Sequence, residues 1–110
     1  MIVYKMLLPI RGKENEFLEL ESYYDKGELD GIHHRGYWLS YTKIEKKKSE
    51  WGESIGYDLK NAKRFFIMPL KRNSKSAYEK SKAKLFEVKD RLIQLSGFEV
   101  EDVIAEEEEY

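Results

Sequence analysis

The stretch that decides the fold is residues 33–72, which read HHRGYWLSYTKIEKKKSEWGESIGYDLKNAKRFFIMPLKR. Aromatic and β-branched residues dominate this stretch, glycines interrupt it, and lysines and arginines lie at the edges of its apolar runs. Such runs suit the pleated, half-buried surface of a sheet, and the short gaps between them favour antiparallel neighbours. The stretch therefore predicts a three-stranded meander, with strands at about His34–Glu45, Glu53–Asp58 and Arg64–Leu70.

The chain before this meander contains one clear strand and one ambiguous segment. The apolar run Ile2–Leu8 predicts a strand with both faces partly covered, which ends at Pro9 because proline cannot donate to a ladder. In Glu16–Glu21 the leucines and glutamates alternate with period two, but residues 16–24 also contain apolar positions at helical spacing. We favour the return strand of a hairpin, followed by one helical turn that has a capping pattern at Ser22–Asp25 and ends at Gly27. A loop over Glu28–Ile32 follows.

The clearest predicted helix follows the meander. Ser76 and Glu79 have the spacing of a capping box, Ser74 is an alternative N-cap, and Gly97 is suited to the position after the helix. Small and apolar residues recur down one face between these ends. They are Ala77, Ser81, Leu85, Val88, Leu92 and Leu95, with Phe86 and Ile93 beside them. This stripe predicts one helix of about twenty residues packed on the sheet.

The predicted fold class is α+β: an antiparallel sheet of about five strands with a central meander, and one long amphipathic helix packed on one face. Residues Phe98–Ile104 predict a short final strand at an edge of the sheet. Glu106–Glu109 is a run of like charges, which we expect to repel one another and stay solvated. A length of 110 residues suits one domain, which we place at residues 1–105, with residues 106–110 as a flexible acidic tail.

The order of three meander strands followed by a basic helix is similar to the β-β-β-α part of double-stranded-RNA-binding domains. The resemblance covers less than half of the chain. The loop bearing glycine and histidine that those domains place between strands is not matched here. We therefore assign the chain to no family.

Composition limits the classes of function. The chain has no cysteine, so disulfides and thiolate chemistry are excluded. Its apolar N-terminal run is broken by Lys5 and lacks a cleavage site, and no run approaches the ~20 apolar residues of a membrane helix. We therefore expect a soluble, cytoplasmic protein. No P-loop, G-x-S-x-G or G-x-G-x-x-G motif occurs, so we predict no catalytic residue and no cofactor.

Charge is strongly divided along the chain. Residues 31–95 hold 16 basic and 7 acidic side chains, whereas residues 96–110 hold 7 acidic and no basic ones. Residues 1–30 hold 4 basic and 7 acidic side chains. Because local charge decides which partners are attracted, the basic body predicts an anionic partner.

Lysines and arginines contact phosphates, and exposed aromatic rings stack on bases. The predicted phosphate-binding residues are Arg35, Lys43, Arg64, Lys71, Arg72 and Lys75, and the predicted stacking residues are Tyr37, Trp38 and Trp51. The segment Lys71–Ser76 is the favoured anion site, because the N-terminus of a helix favours anions. We place Lys46–Lys48 and Trp51 in a loop after the first meander strand. The alternative is that the cations form only a solvated face and that the strand aromatics belong to the core.

Three functions follow from these features. The first is a small non-enzymatic binding module for a phosphate-bearing ligand, either a nucleic acid or a nucleotide. The alternative is a protein-interaction or inhibitory module, similar to accessory proteins of mobile elements, that acts through exposed aromatics and the acidic tail. The third is a metal-dependent enzyme around His33 and His34. Neighbouring residues of a strand point to opposite faces, so we predict no metal site there.

Overall fold

The computed structural model describes residues 3–110. Its elements are β1 (Tyr4–Pro9), β2 (Glu16–Leu29), β3 (Ile32–Ser49), β4 (Gly52–Pro69), α1 (Lys75–Ser96) and β5 (Glu106–Glu109). The strands form one sheet in the order β4-β3-β2-β1-β5, and every neighbouring pair is antiparallel. The helix packs against one face of this sheet. The predicted α+β class, with five antiparallel strands and one helix, is confirmed.

Two long hairpins make up most of the sheet. Asp30 and Gly31 connect β2 to β3 with φ angles of 54° and 77°, as a two-residue type I′ turn requires. The predicted loop over Glu28–Ile32 is therefore wrong, since pairing continues to Leu29 and Ile32. The predicted second and third meander strands are one strand, β4. Residues 59–61, between the two predicted strands, bulge out of the ladder, while pairing with β3 continues on both sides.

The ambiguous segment Glu16–Glu21 is a strand, as favoured from its alternation. The predicted helical turn, which starts at Ser22 and ends at Gly27, is wrong, because all of these residues pair with β3 and Ser22 also pairs with β1. Tertiary pairing on both sides outweighs the local capping pattern. The predicted first strand begins at Ile2, which lies outside the described residues. Its remainder is β1, which extends to Pro9.

The helix has the predicted position and stripe. Ser74 is its N-cap, with the side chain accepting from the backbone N of Ala77 at 3.2 Å, so Ser76 is not the cap. Gly97 ends the helix with φ of 79°. Leu85 and Leu92 are buried against the sheet, whereas Leu95 is exposed. No helix within residues 3–110 combines the length and the apolar character needed to cross a membrane.

The C-terminal segment differs from the prediction. Phe98–Ile104 is not a strand, and only Val100 forms an isolated bridge, with Ile10. The last strand is instead the acidic run Glu106–Glu109, which pairs with β1. Its side chains are exposed but alternate between two sets of partners: Glu107 and Glu109 contact groups on the helix side, and the other two contact lysines on the opposite face. A flexible tail is therefore the wrong description of this segment.

The sheet is curled, and the face without the helix is concave. Lys46 of β3 lies 3.8 Å from Glu53 of β4 and also contacts Glu106 of β5, although β2 and β1 separate β3 from β5. Residues from all five strands line one hollow on this face. Strand twist accumulates across a sheet, and here it brings the two edges towards each other.

Candidate functional site

The loop between β4 and α1 is held in place by tyrosines of the sheet. The hydroxyl of Tyr24 donates to the carbonyl of Leu70 at 3.3 Å, and that of Tyr37 donates to the carbonyl of Ser74 at 3.2 Å. The backbone N of Leu70 donates to the carbonyl of Arg35 at 3.0 Å. Tyr37 is completely buried, so its hydroxyl has a fixed position. The core therefore determines the conformation of this loop.

Four of the six predicted phosphate-binding residues surround this loop. Arg35 and Lys71 line one hollow of about 360 Å³. Arg72 lies in the loop, and Lys75 is the first residue of α1. All four side chains are exposed, and no carboxylate among residues 3–110 lies within 4.0 Å of their charged nitrogens. We refer to these four residues as the basic loop cluster.

The end of the helix adds to this positive charge. The first turn of α1 contains no acidic residue and begins with Lys75. Because the N-terminus of a helix carries a partial positive charge, a cation there is unfavourable and an anion is stabilising. Ser74 satisfies one backbone N–H of the first turn, which leaves others available to an anion. The cluster and the helix end together form a positively charged site that lacks a counter-ion within the described chain.

The other two predicted phosphate-binding residues are engaged elsewhere. Lys43 lies 2.6 Å from Glu16, and this hydrogen bond raises the pKa of Lys43. Arg64 stacks on the ring of Trp38 at 4.6 Å and donates to the carbonyl of Glu28 at 3.2 Å. Lys43 lies within β3, as predicted, whereas Arg64 lies in the interior of β4 and not at the start of a strand as predicted. They do not belong to the basic loop cluster.

The three predicted stacking residues have different environments. Tyr37 and Trp38 are 0% exposed, and the indole N–H of Trp38 donates to the carbonyl of Asp25 at 3.1 Å. Neither ring offers a face to a ligand. Trp51 is 93% exposed in the turn between β3 and β4, at the far end of β3 from Arg35. Lys46–Lys48 lie on β3 itself and not in the predicted loop.

The histidine pair is divided between two environments. His33 is exposed and lies 4.0 Å from Glu28 on the paired strand. The ring of His34 packs against Phe66, with ring centroids 4.5 Å apart. Within the described part of the chain, no three His, Asp or Glu residues are grouped so that they could hold a metal ion.

A second site, which the sequence analysis did not single out, lies on the concave face of the sheet. It is a hollow of about 390 Å³, which we call the concave hollow. Its charged lining residues are Lys5, Lys46, Glu19, Glu53, Glu106, Glu107 and Glu108. Of these, Glu107 accepts a hydrogen bond from the hydroxyl of Tyr4 on the helix side. Strand alternation was the signal that could have found it, since charges interrupt the apolar residues of both β1 and β2 and the register places Lys5 opposite Glu21.

Two carboxylates beside Lys5 are electrostatically unusual. Glu19 is only 5% exposed, and its Oε2 atom has no hydrogen-bond partner among the described residues. The ammonium group of Lys5 lies 3.7 Å from this oxygen, which is too far for a hydrogen bond. Burial raises the pKa of Glu19, and Lys5 opposes the change. Burial and the negative charge of Glu19 raise the pKa of Glu21 to about 7.

Comparisons of the chain with protein-family models, curated proteins and solved structures give no significant match. The interpretation of both sites therefore depends on their own geometry and charge.

Proposed function

We propose that this protein is a small binding module for an anionic, phosphate-bearing ligand, a nucleotide or a nucleic acid, at the basic loop cluster. The observation that carries the proposal is the position of the cluster. Four cations, which have no carboxylate partner among residues 3–110, surround a loop that is held by tyrosines at the N-terminus of α1. Arginine can bind phosphate oxygens through two parallel hydrogen bonds, and lysine adds a mobile point charge.

The fixed loop favours binding over a merely solvated basic surface. Tyr24 and Tyr37 hold the loop backbone in place by hydrogen bonds to two of its carbonyl groups. A preorganised site loses less conformational entropy on binding than a mobile one. An anion bound here also neutralises the partial positive charge at the N-terminus of α1, which stabilises the complex further. A lysine on an exposed strand offers no such interaction.

The same geometry indicates how such a ligand binds. The two strand aromatics nearest in sequence to Arg35 are buried, and the exposed Trp51 is at the other end of β3. Affinity therefore comes from phosphate contacts and not from base stacking. A ligand bound in this way competes with salt, and its affinity increases with the number of phosphate groups that it presents.

Calorimetric titration with a nucleoside triphosphate, the matching monophosphate and a short oligonucleotide tests this proposal. We expect binding that weakens steeply as salt is raised, and a loss of roughly tenfold or more in the double variant Arg35→Gln/Lys71→Gln, since two charged contacts are removed. The matched control is Lys47→Gln/Lys48→Gln, which makes the same change of charge at the far end of β3. Equal losses in both variants would show that the basic surface acts only through its overall charge.

A second candidate function has its own supporting observation. Strand β4 is an edge of the sheet, and the hairpin that it forms with β3 exposes Trp51 at 93% and Leu59 at 80%. An edge strand presents unpaired backbone groups, and pairing with an extended segment of another protein is a common mode of recognition. The acidic strand β5, which was predicted to help in such contacts, binds groups of this chain instead.

Selection of extended peptides from a displayed library tests this second function. Peptides that pair with β4 should bind the native protein and lose affinity for Leu59→Lys, while a Leu95→Lys control on α1 should bind them unchanged. If no selected peptide distinguishes the two variants, the exposed hairpin is not a docking surface.

A further inference from the structure

The concave hollow carries a charge imbalance that the proposed anion site does not use. Its lining includes five glutamates and two lysines, and each lysine is shared between two carboxylates. Lys5 lies 3.7 Å from Glu19 and 3.9 Å from Glu108. Lys46 is shared in the same way between a residue of β4 and a residue of β5. The hollow therefore has an excess of negative charge, which concentrates cations.

Glu19 indicates where in the hollow a cation would bind. The residue lines the hollow and is 5% exposed, yet its Oε2 atom receives no hydrogen bond from residues 3–110. A buried carboxylate oxygen without a donor destabilises the folded state, because it has lost its hydrogen bonds to water and has formed no hydrogen bond within the protein. A donor that enters the hollow would remove this cost, and a positively charged donor would also balance the excess carboxylates.

The remaining lining of the hollow indicates which kind of cation fits it. Leu7, Ile44 and Ile55 contribute apolar wall between the charged groups. A volume of about 390 Å³ corresponds to roughly thirteen water-sized groups at ~30 Å³ each, which is much larger than a bare ion needs. Apolar walls suit a carbon stem, and the described residues offer no grouping of three metal ligands.

We propose that the concave hollow binds an organic cation, an ammonium or guanidinium group on a short apolar stem, with Glu19 and Glu108 as its acceptors. The stem lies against the apolar wall, and the charged head supplies the missing hydrogen-bond donor. Such a head is found both on free alkylamines and on the lysine or arginine side chains of proteins. The chemistry is the same for both sources.

The position of β5 provides an independent consequence. This four-residue strand forms one wall of the hollow and pairs only with β1 among the sheet strands. A ligand held between β5 and β2 stabilises the docked strand by mass action. Amide exchange in β5 should therefore slow when the hollow is occupied, which a cation bound elsewhere on the surface would not cause.

The test is an NMR titration of the full chain with n-butylammonium and n-butylguanidinium, using n-butanol as the neutral control. A lysine-containing peptide forms a separate arm. We expect saturable shifts at the amides of Lys5, Glu19 and Glu108, and slower exchange in β5. Butanol should bind at least roughly tenfold more weakly, since it lacks the charge-assisted bond. Binding by the amine alone identifies a small-molecule source, and binding by the peptide alone identifies a protein side chain. Both results support the site.

Variants decide whether the hollow is responsible. Glu19→Gln and Glu108→Gln should each weaken binding roughly tenfold. Glu109→Gln makes the same change on the same strand, but its side chain contacts Tyr78 and Lys82 on the helix side, so affinity should change less than about twofold. If Glu19→Gln does not fold, the exposed Glu108 decides alone. Equal binding of butanol, unchanged affinity in Glu108→Gln, or no binding in either arm would overturn the proposal.

Discussion

Replacing Glu21 by Gln should stabilise the protein at neutral and alkaline pH and have little effect in acid. Burial and the charge of Glu19 raise the pKa of Glu21 from its ordinary value of 4.5 to about 7 in the folded protein. Between these two pH values the folded state keeps a proton that the unfolded state has lost. Stability therefore falls as pH rises through this window and stays lower above it. Gln has no proton to lose, so the variant lacks this penalty.

The magnitude follows from the size of the shift. A change from 4.5 to about 7 would amount to ~3 kcal/mol at ~1.4 kcal/mol for each pH unit. Glu21 is half-buried, and solvent screening reduces the effect, so we expect a gain of about 1–2 kcal/mol. The gain should be complete above about pH 8 and should disappear near pH 4, where Glu21 is protonated in both states.

Urea denaturation of both proteins across this pH range measures the difference directly. The control is Glu79→Gln, an exposed residue of α1, which removes one negative charge without touching the concave face. If Glu21→Gln is no more stable than wild type at pH 8, or if its advantage is the same at pH 4, folding does not raise the pKa of Glu21 as described.

Three further predictions concern the fold. Deleting residues 106–110 should destabilise the protein by several kcal/mol and lower the urea midpoint, because β1 loses β5, one of its two neighbouring strands. An unchanged midpoint would contradict the pairing of β5 with β1. Leu85→Ala should cost about 2–5 kcal/mol because Leu85 is completely buried, whereas Leu95→Ala should cost less than about 1 kcal/mol. Gly36→Ala should destabilise the protein strongly, because a Cβ there would overlap a carbonyl oxygen of β4, whereas Gly56→Ala has room; equal thermal midpoints for the two variants would refute this packing.

The parts of the fold that the sequence predicts are those with local signals. The apolar stripe of α1 and the Gly97 ending depend on spacing within one helix, and both are present. The alternation in Glu16–Glu21 is also local and correctly indicates a strand. In contrast, four consecutive glutamates have no local tendency to form a strand. They form β5 because their carboxylates accept hydrogen bonds from tyrosines of β1 and α1 and form ion pairs with lysines of β1, β3 and α1.

The candidate sites divide in the same way. The grouping of Lys71, Arg72 and Lys75 in the basic loop cluster could be predicted, because all three are close in sequence to a helix start. The burial of two predicted stacking residues could not be predicted, because composition does not show which aromatic rings are covered. Tyr37 is covered on the helix side of the sheet, and Trp38 is covered by Arg64 on the other side. The concave hollow depends on the curl of the whole sheet. No short stretch of sequence contains that information.

The measurement that tests the central proposal most directly is an NMR titration with inorganic tripolyphosphate at low salt, which isolates phosphate recognition from any base. We predict saturable shifts at the backbone amides of Lys75 and Ser76 and at the guanidinium of Arg35, and their loss in Arg35→Gln/Lys71→Gln. Shifts of equal size at Lys47 and Lys48, or none at the start of α1, would contradict a phosphate site at the basic loop cluster.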